Sequence, residues 1–400
     1  MISVGIDVSK ERSTVCILKP YGEVICSPYE ITHTEKDLSV LAANCLHLNG
    51  EVRIVMEATG NYHLPILSYL KEHRLFVAVV NPYVMKKYAA AAIRKGKTDK
   101  LDAIKIANYG IDNWFHLKNY EASDEAYAQL RLLGRQYSHY INLRVQSKHT
   151  LTNMLDYTMP GIKHLLRNDS SNPEKEKLND FAEKYWHFDN ITVLHESQFT
   201  NNYLKWAKEK GYRPSKTKAA AIYALARNGI PTLPSGAPST KMLVLEAVRV
   251  LREIDRTLAL ILAQMQELAS SLPEYPVVRA MEGVGPILAP RLIAEIGDVR
   301  RFHSGKALIA FAGIDAPPYQ SGQFTGSNRH ISKRGSALLR KTGFEIMKCI
   351  KSSKPLNGSV YQFILKKEGE GKAPKLAKIA GLNKFLRIYY ARVKEACLQQ

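Results

Sequence analysis

Cysteine is scarce in this chain: Cys16, Cys26, Cys45, Cys349 and Cys397 are the five among 400 residues. None falls in a CxxC pair, so the spacing suits neither zinc nor a disulfide framework. Free or buried thiols in a reducing compartment are expected. Long apolar runs are missing as well, and nothing approaches the length of a membrane span. The opening "MISVGIDVSK" puts Asp7 where a secretory leader would be apolar. The expectation is a soluble, cytoplasmic protein with no membrane partner. Internal repeats are absent. Acidic residues are the last shortage: 37 Asp and Glu face 57 Lys and Arg, a net charge of +20. That excess favours a polyanionic partner, usually nucleic acid.

The charge is unevenly spread. Residues 1–115 carry 14 basic and 12 acidic side chains, residues 276–400 carry 22 and 8, a net of +14. A polyanion should therefore lean on the C-terminal part, and the N-terminal part must contribute something other than bulk electrostatics. With 45% hydrophobic residues the chain can bury real cores, and its length allows two or three domains.

The first hundred residues read as α/β. Apolar runs Ile2–Ile6, Thr14–Leu18 and Val24–Ser27, broken by turn signals such as "PYG", predict three strands. A helix over Glu35–Cys45, a buried strand ending at Glu57, a helix over Tyr62–Glu72 and the strand "LFVAVVNP" follow. Three strands and then alternating helix and strand predict a mixed sheet. From Ser123 a long capped helix is expected. A second follows "PSGAPST", where Val244, Ala247, Leu251, Ile254, Leu258, Ile261, Met265, Leu268 and Leu272 repeat at 3,4 spacing. Four such heptads predict a coiled coil; the first helix interrupts its own seam at Arg144 and Ser147. The expected domains are residues 1–115, a helical linker over 116–274 with an insertion at 160–238, and a basic C-terminal domain over 275–400.

Four carboxylates stand out. Asp7 ends the first strand in "GIDVSK", and Glu57 ends the fourth in "VMEATG". Asp99 and Asp102 fall three apart among Lys95, Lys97, Lys100 and Lys105, which on a helix puts them on one face. Two-metal phosphodiester chemistry needs several carboxylates around one point, and Mg²⁺ prefers such oxygen ligands. Each residue also has a plainer reading. The aspartate pair could be a solvated helix face, Glu57 a helix cap, and "GID" the phosphate loop of an actin-like kinase. A kinase of that kind should show later glycine-rich nucleotide loops, and none precedes residue 283.

"GIDVSK", "MEATGNY", "VVNP" and "KTDKLDA", in this order and spacing, resemble the DEDD transposases of bacterial insertion sequences, the "one-ten" group. The resemblance implies a RuvC-like, ribonuclease-H-type N-terminal domain. It makes Asp7, Glu57, Asp99 and Asp102 the Mg²⁺-binding catalytic acids. It also implies a dimerising coiled coil, a mostly helical C-terminal transposase domain, DNA as donor and target, a non-coding bridge RNA, and a homodimer or dimer of dimers.

In the C-terminal part "MEGVGPILAPRL" places Gly283 and Gly285 in a segment similar to a helix-hairpin-helix, whose backbone N–H groups could meet phosphate. A plain connecting turn fits it too. "PPYQSGQFTGSNRHISKRGSALLR" sets Ser321 in a glycine-punctuated loop ahead of Arg329, His330, Lys333 and Arg334. Read alone, Ser321 is an ordinary turn serine. By the resemblance it is the nucleophile that becomes linked to a DNA 5′ phosphate, with Ser327 and Ser332 as competitors and the four basic residues as nucleic-acid contacts. The last helical run, from Lys372 to Lys394, interleaves seven basic residues with Tyr389 and Tyr390; it is either a solvated amphipathic helix or a further contact with nucleic acid. The rival functions are a RuvC-like nuclease or junction resolvase with a structural Ser321, and a non-catalytic DNA-binding scaffold.

Overall fold

The computed structural model describes residues 1–90, 98–121, 124–166, 176–317, 320–321, 324–325 and 330–398. The chain divides into two compact units, Met1–Ala122 and Ser123–Gln400.

The first unit is built on five strands: β1 (Ile2–Val8), β2 (Arg12–Leu18), β3 (Val24–Thr32), β4 (Val52–Glu57) and β5 (Val77–Val80). Their order is β3-β2-β1-β4-β5. β1 runs antiparallel to β2 and parallel to β4, β2 and β3 are antiparallel, and β4 and β5 are parallel. This is the mixed sheet of a ribonuclease-H-type fold, as the sequence led us to expect. Parallel neighbours require crossovers, and α1 (Glu35–His47) and α2 (His63–Glu72) supply them. α3 (Pro82–Ala90) and α4 (Asp99–Asp112) complete the unit.

Strand periodicity sorts the sheet's two faces. Val4, Ile6, Val15, Ile17, Ile54 and Met56 form one apolar cluster with Leu38 and Leu41 of α1 and Ile66 and Leu70 of α2. The alternate residues face α4: Cys16 and Leu18 pack with Ala103 and Ala107, and Val55 with Ile106. Gly5 is required here. A Cβ on it would lie 2.3 Å from the Ala107 nitrogen and 2.4 Å from the Ala103 oxygen. At the other end of α4, Gly110 sits against Ser3 and Val55. The helix therefore runs antiparallel to β1, and its first turn lies toward the strand's C-terminal end.

The second unit is helical. α5 (Glu125–Thr158) and α11 (Pro238–Ser270) are 34 and 33 residues long and lie antiparallel. Tyr127 donates to Glu274 at 2.8 Å at one end, Arg144 pairs with Asp255 midway, and Leu151 and Leu155 meet Val244 and Val248 at the other. The heptad residues Val244, Leu251, Leu258, Met265 and Leu272 are buried inside the chain, as are Val248 and Ala269 beside them. The apolar stripe is thus wider than a strict coiled-coil seam, and α5 of the same chain covers it. The seam break at Arg144 has a reason: its guanidinium also binds Glu176 at 2.8 Å, so the charge is paired rather than stranded.

Residues 160–238, read as a polar insertion, hold an aromatic core. α6 (Ile162–Leu165), α7 (Lys177–Lys184), α8 (Asp189–Thr192), α9 (Glu196–Glu209) and α10 (Lys216–Asn228) gather Phe181, Phe199, Tyr203 and Trp206 against that end of the α5–α11 pair. At the opposite end α12 (Tyr275–Arg279), α13 (Leu288–Ile296), α14 (Gly305–Ala312), α15 (Ala337–Ser353), α16 (Ser359–Gly369) and α17 (Pro374–Leu398) share a core with Leu130, Tyr137, Leu258 and Met265. Two short strands, β6 (Gln320–Ser321) and β7 (Phe324–Thr325), pair as a hairpin between α14 and α15. Among the described residues no helix is long and apolar enough to cross a membrane.

Candidate active site

The acids are positioned by strand register and by one helix cap. Ile6 lies opposite Met56 in the parallel β1–β4 pair, so Asp7 and Glu57 are the next positions along neighbouring strands. Both fall on the odd-numbered face, the one α4 covers. Open α/β sheets bind ligands outside the carboxyl ends of their strands, and both residues stand there. Thr98 caps α4, its hydroxyl accepting from the Leu101 N–H at 3.2 Å. That sets Asp99 and Asp102 in the first turn, where the helix dipole favours anions. The same cap brings them to the end of β1.

Asp7, Glu57 and Asp102 are half-buried and Asp99 is exposed. Burial, reinforced by the nearby Asp102 carboxylate, raises the Glu57 pKa above its ordinary value. Asp102 binds Lys105 at 2.7 Å, so its charge is partly answered within its own helix. A cavity of about 420 Å³ opens beside Asp7 and Asp99, with Lys10, Arg12 and Thr14 in its walls. Arg12 pairs with Glu30 at 3.3 Å. Lys10, in the β1–β2 turn, and Arg12, the first residue of β2, were not singled out in the sequence; their nearness to Asp7 in "GIDVSKER" was the available signal. Among the described residues no three His, Cys, Asp or Glu side chains converge closely enough to hold a metal ion. The donor set still fits one. Four carboxylate oxygens suit a hard divalent cation, and the like-charge crowding at Glu57 is what such a cation would relieve.

The serine loop rises from a tightly tied base. The Ser332 N–H donates to the Asp315 carbonyl at 2.8 Å, and its hydroxyl donates to the Asp315 carboxylate. Lys333 N–H reaches the Gly313 carbonyl at 3.0 Å. Arg340 donates to the Ala312 and Gly335 carbonyls, both at 3.0 Å. Arg340 is thus a clamp at the loop's foot. Ser321 lies in β6, its backbone paired with Phe324. His330, Lys333 and Arg334 are exposed after the hairpin. Arg329 and Ser327 lie outside the described residues, as do Lys95 and Lys97.

Gly283 takes a left-handed φ of +71°, and a Cβ there would meet Ile350 Cγ1 at 2.5 Å. Close packing on α15 accounts for that glycine, whereas Gly285 has open space around it. Tyr389 is fully buried, and Tyr390 donates to the Phe302 carbonyl at 3.0 Å. Tyr389 is therefore an interior packing residue of α17, while Tyr390 is half-buried with its hydroxyl engaged. Interleaving with lysines does not distinguish the two in the sequence.

Two family models match the chain. One, a DEDD transposase of the IS110 type, matches residues 4–160; the other, the transposase IS116/IS110/IS902 family, matches residues 275–362. Among relatives, the IS116 insertion-element 44.8 kDa protein of Streptomyces clavuligerus is 24% identical, covering 92% of this chain and 89% of its own. The pilin gene-inverting protein of Moraxella bovis is 22% identical over 98% and 95%. Among solved structures, Thermus thermophilus RuvC in complex with Holliday junction substrate covers 30% of this chain and 99% of its own at 12% identity, with a TM-score of 0.24. The fold assignment rests on the strand order and directions above. Matched at both ends and aligned with its relatives along nearly its whole length, the chain belongs to the IS116/IS110/IS902 family of transposases.

Proposed function

We propose that this transposase is a site-specific DNA recombinase that moves an insertion sequence, with Asp7, Glu57, Asp99 and Asp102 as its Mg²⁺ ligands and Ser321 as its nucleophile. The supporting observation is that strand ends and a helix cap bring the four acids to one edge of one sheet face. Bound there, Mg²⁺ would stabilise the attacking and leaving oxygens of a phosphoryl transfer. Lys10 and Arg12 would hold the phosphodiester beside the acids. The Ser321 hydroxyl gives up its proton as Oγ bonds to phosphorus, and the 3′ oxygen leaves and takes a proton. The 5′ phosphate stays on the serine until another strand's 3′ hydroxyl reverses the step, so no phosphodiester energy is lost.

Gly283, Gly285, His330, Lys333 and Arg334, with Arg329, belong to this reading as nucleic-acid contacts. The +14 charge of residues 276–400 supports both a DNA partner and the bridge RNA that the family resemblance brings with it. A homodimer or dimer of dimers working in the cytoplasm is part of the same proposal. Residues 1–115, 116–274 and 275–400 would then be its acid-bearing, spacing and serine-bearing parts.

The test is a denaturing gel of full-length protein with labelled DNA, followed by mapping of the attached peptide. A covalent adduct at Ser321, lost in Ser321→Ala while DNA binding persists, is the expected result. Recombination without any adduct would replace this reading with a RuvC-like nuclease.

A further inference from the structure

A cavity of about 560 Å³ lies at the foot of the serine loop. Ile314 and Ile331, one on each side of the loop, share its walls with Phe363 of α16 and Leu376 of α17. Lys372, Lys384 and Arg387 also line it, and no carboxylate does among the described residues. Its volume falls in the range of small-molecule sites, roughly 300–1,000 Å³. Lys384 is fixed in place: its ammonium donates to the Ser359 carbonyl at 3.0 Å and lies 5.1 Å from the Phe363 ring centroid. Arg387 is held by Asn383 at 3.1 Å.

This pairing of surfaces selects its occupant. A DNA duplex turns phosphate and sugar outward and keeps its base faces stacked, so it would meet the cations and leave the apolar wall uncovered. An unstacked nucleotide offers both an apolar ring face and an anionic phosphate. A small apolar ligand would gain nothing from three cations. We propose that the cavity takes one unstacked nucleotide of a single strand passing the serine loop, its base against Leu376 and Phe363 and its phosphate among Lys372, Lys384 and Arg387. The inference rests on the nucleic-acid reading above and adds a subsite to it. Holding a nucleotide out of the stack there would fix the strand's register beside the loop.

The test uses full-length protein and labelled oligonucleotides of one sequence, as single-stranded DNA, single-stranded RNA and duplex DNA. Leu376 is 61% exposed and Leu356, outside the cavity, is 84% exposed, so Leu376→Glu and Leu356→Glu add the same charge without opening a core. Leu376→Glu should weaken single-strand binding about tenfold, in keeping with the usual worth of one base contact, and duplex binding by less than about twofold. Leu356→Glu should leave both nearly unchanged. The arm that responds, DNA or RNA, identifies the source of the nucleotide. Equal losses from the two variants, or none from Leu376→Glu, would overturn the proposal. So would a Leu376→Glu protein that loses self-association but keeps its single-strand affinity, since a protein surface would then be the occupant. If the unaltered protein binds neither DNA nor RNA, the nucleic-acid reading itself falls; if it binds and Leu376→Glu does not matter, only the cavity does.

Discussion

The two proposed catalytic regions are built in opposite ways. The acids sit where regular structure leaves no choice. Asp7 and Glu57 follow from the register of adjacent parallel strands, and Asp99 and Asp102 from a capped first turn. Ser321 sits in a two-residue strand that pairs with the equally short β7. Rigid elements hold groups more precisely than loops. The acids are thus held by long regular elements and the serine by two short paired strands.

The contrast is broken most severely at the acids. Asp7→Asn keeps the side chain's shape and removes its charge, as does Glu57→Gln. Recombination by either variant should fall at least about a hundredfold, in line with the loss of one electrostatic stabiliser from a catalytic site. Circular dichroism and DNA binding should be unchanged. Activity within about tenfold of the unaltered protein would mean that strand-end placement had been mistaken for catalysis.

The next effect tests whether α4 is positioned by close approach. In Gly5→Val the new side chain meets backbone atoms of Ala107 and Ala103 that cannot move independently. The cost should reach about 3 kcal/mol, the upper end of overpacking. Gly110→Ala meets mainly the side chains of Ser3 and Val55, which can turn, and should cost about 1 kcal/mol. Hydrogen exchange on full-length protein would read both. Faster exchange in β1 and α4 peptides, larger for Gly5→Val, is expected; equal protection in both variants would show that α4 is held elsewhere.

The sequence made the first region legible because its signals are local. Apolar runs broken by turn signals located the strands, and their ends pointed to Asp7 and Glu57. The sequence also located α5 and α11, yet not their partnership. The 3,4 spacing of Val244 to Leu272 says that a face is covered, never by which helix, so Arg144 looked like a flaw until Asp255 and Glu176 appeared beside it. The insertion's core was hidden for a related reason. Phe181, Phe199, Tyr203 and Trp206 are scattered over polar helices and become a core only in space. At the serine loop, "SNRHISKRG" reads as uniform basic charge, while hydrogen bonds over 17 residues of separation give Ser332 a structural task.

That task yields the smallest predicted effect and the one that bears most directly on the nucleophile. Of the two competing serines, Ser327 and Ser332, Ser332 is the one among the described residues, and its Oγ is spent on Asp315 at the loop's foot. In Ser332→Ala the backbone bond to the Asp315 carbonyl remains, while the carboxylate loses a charged hydrogen bond worth about 1.5–3 kcal/mol. The half-buried Asp315 can recover part of this from water, so about 1 kcal/mol of local stability should be lost. The loop would be looser, the adduct would form more slowly, and it would still map to Ser321. Asp315→Asn should have a smaller effect than Ser332→Ala, because an amide oxygen can still accept from Ser332. If Ser332→Ala instead abolishes the adduct and leaves strand binding intact, Ser332 is the nucleophile and Asp315 is its proton acceptor. The hydrogen-bonded foot of the loop, rather than β6, would then be the reacting part, and the contrast between acids on long elements and a serine on a short strand would collapse.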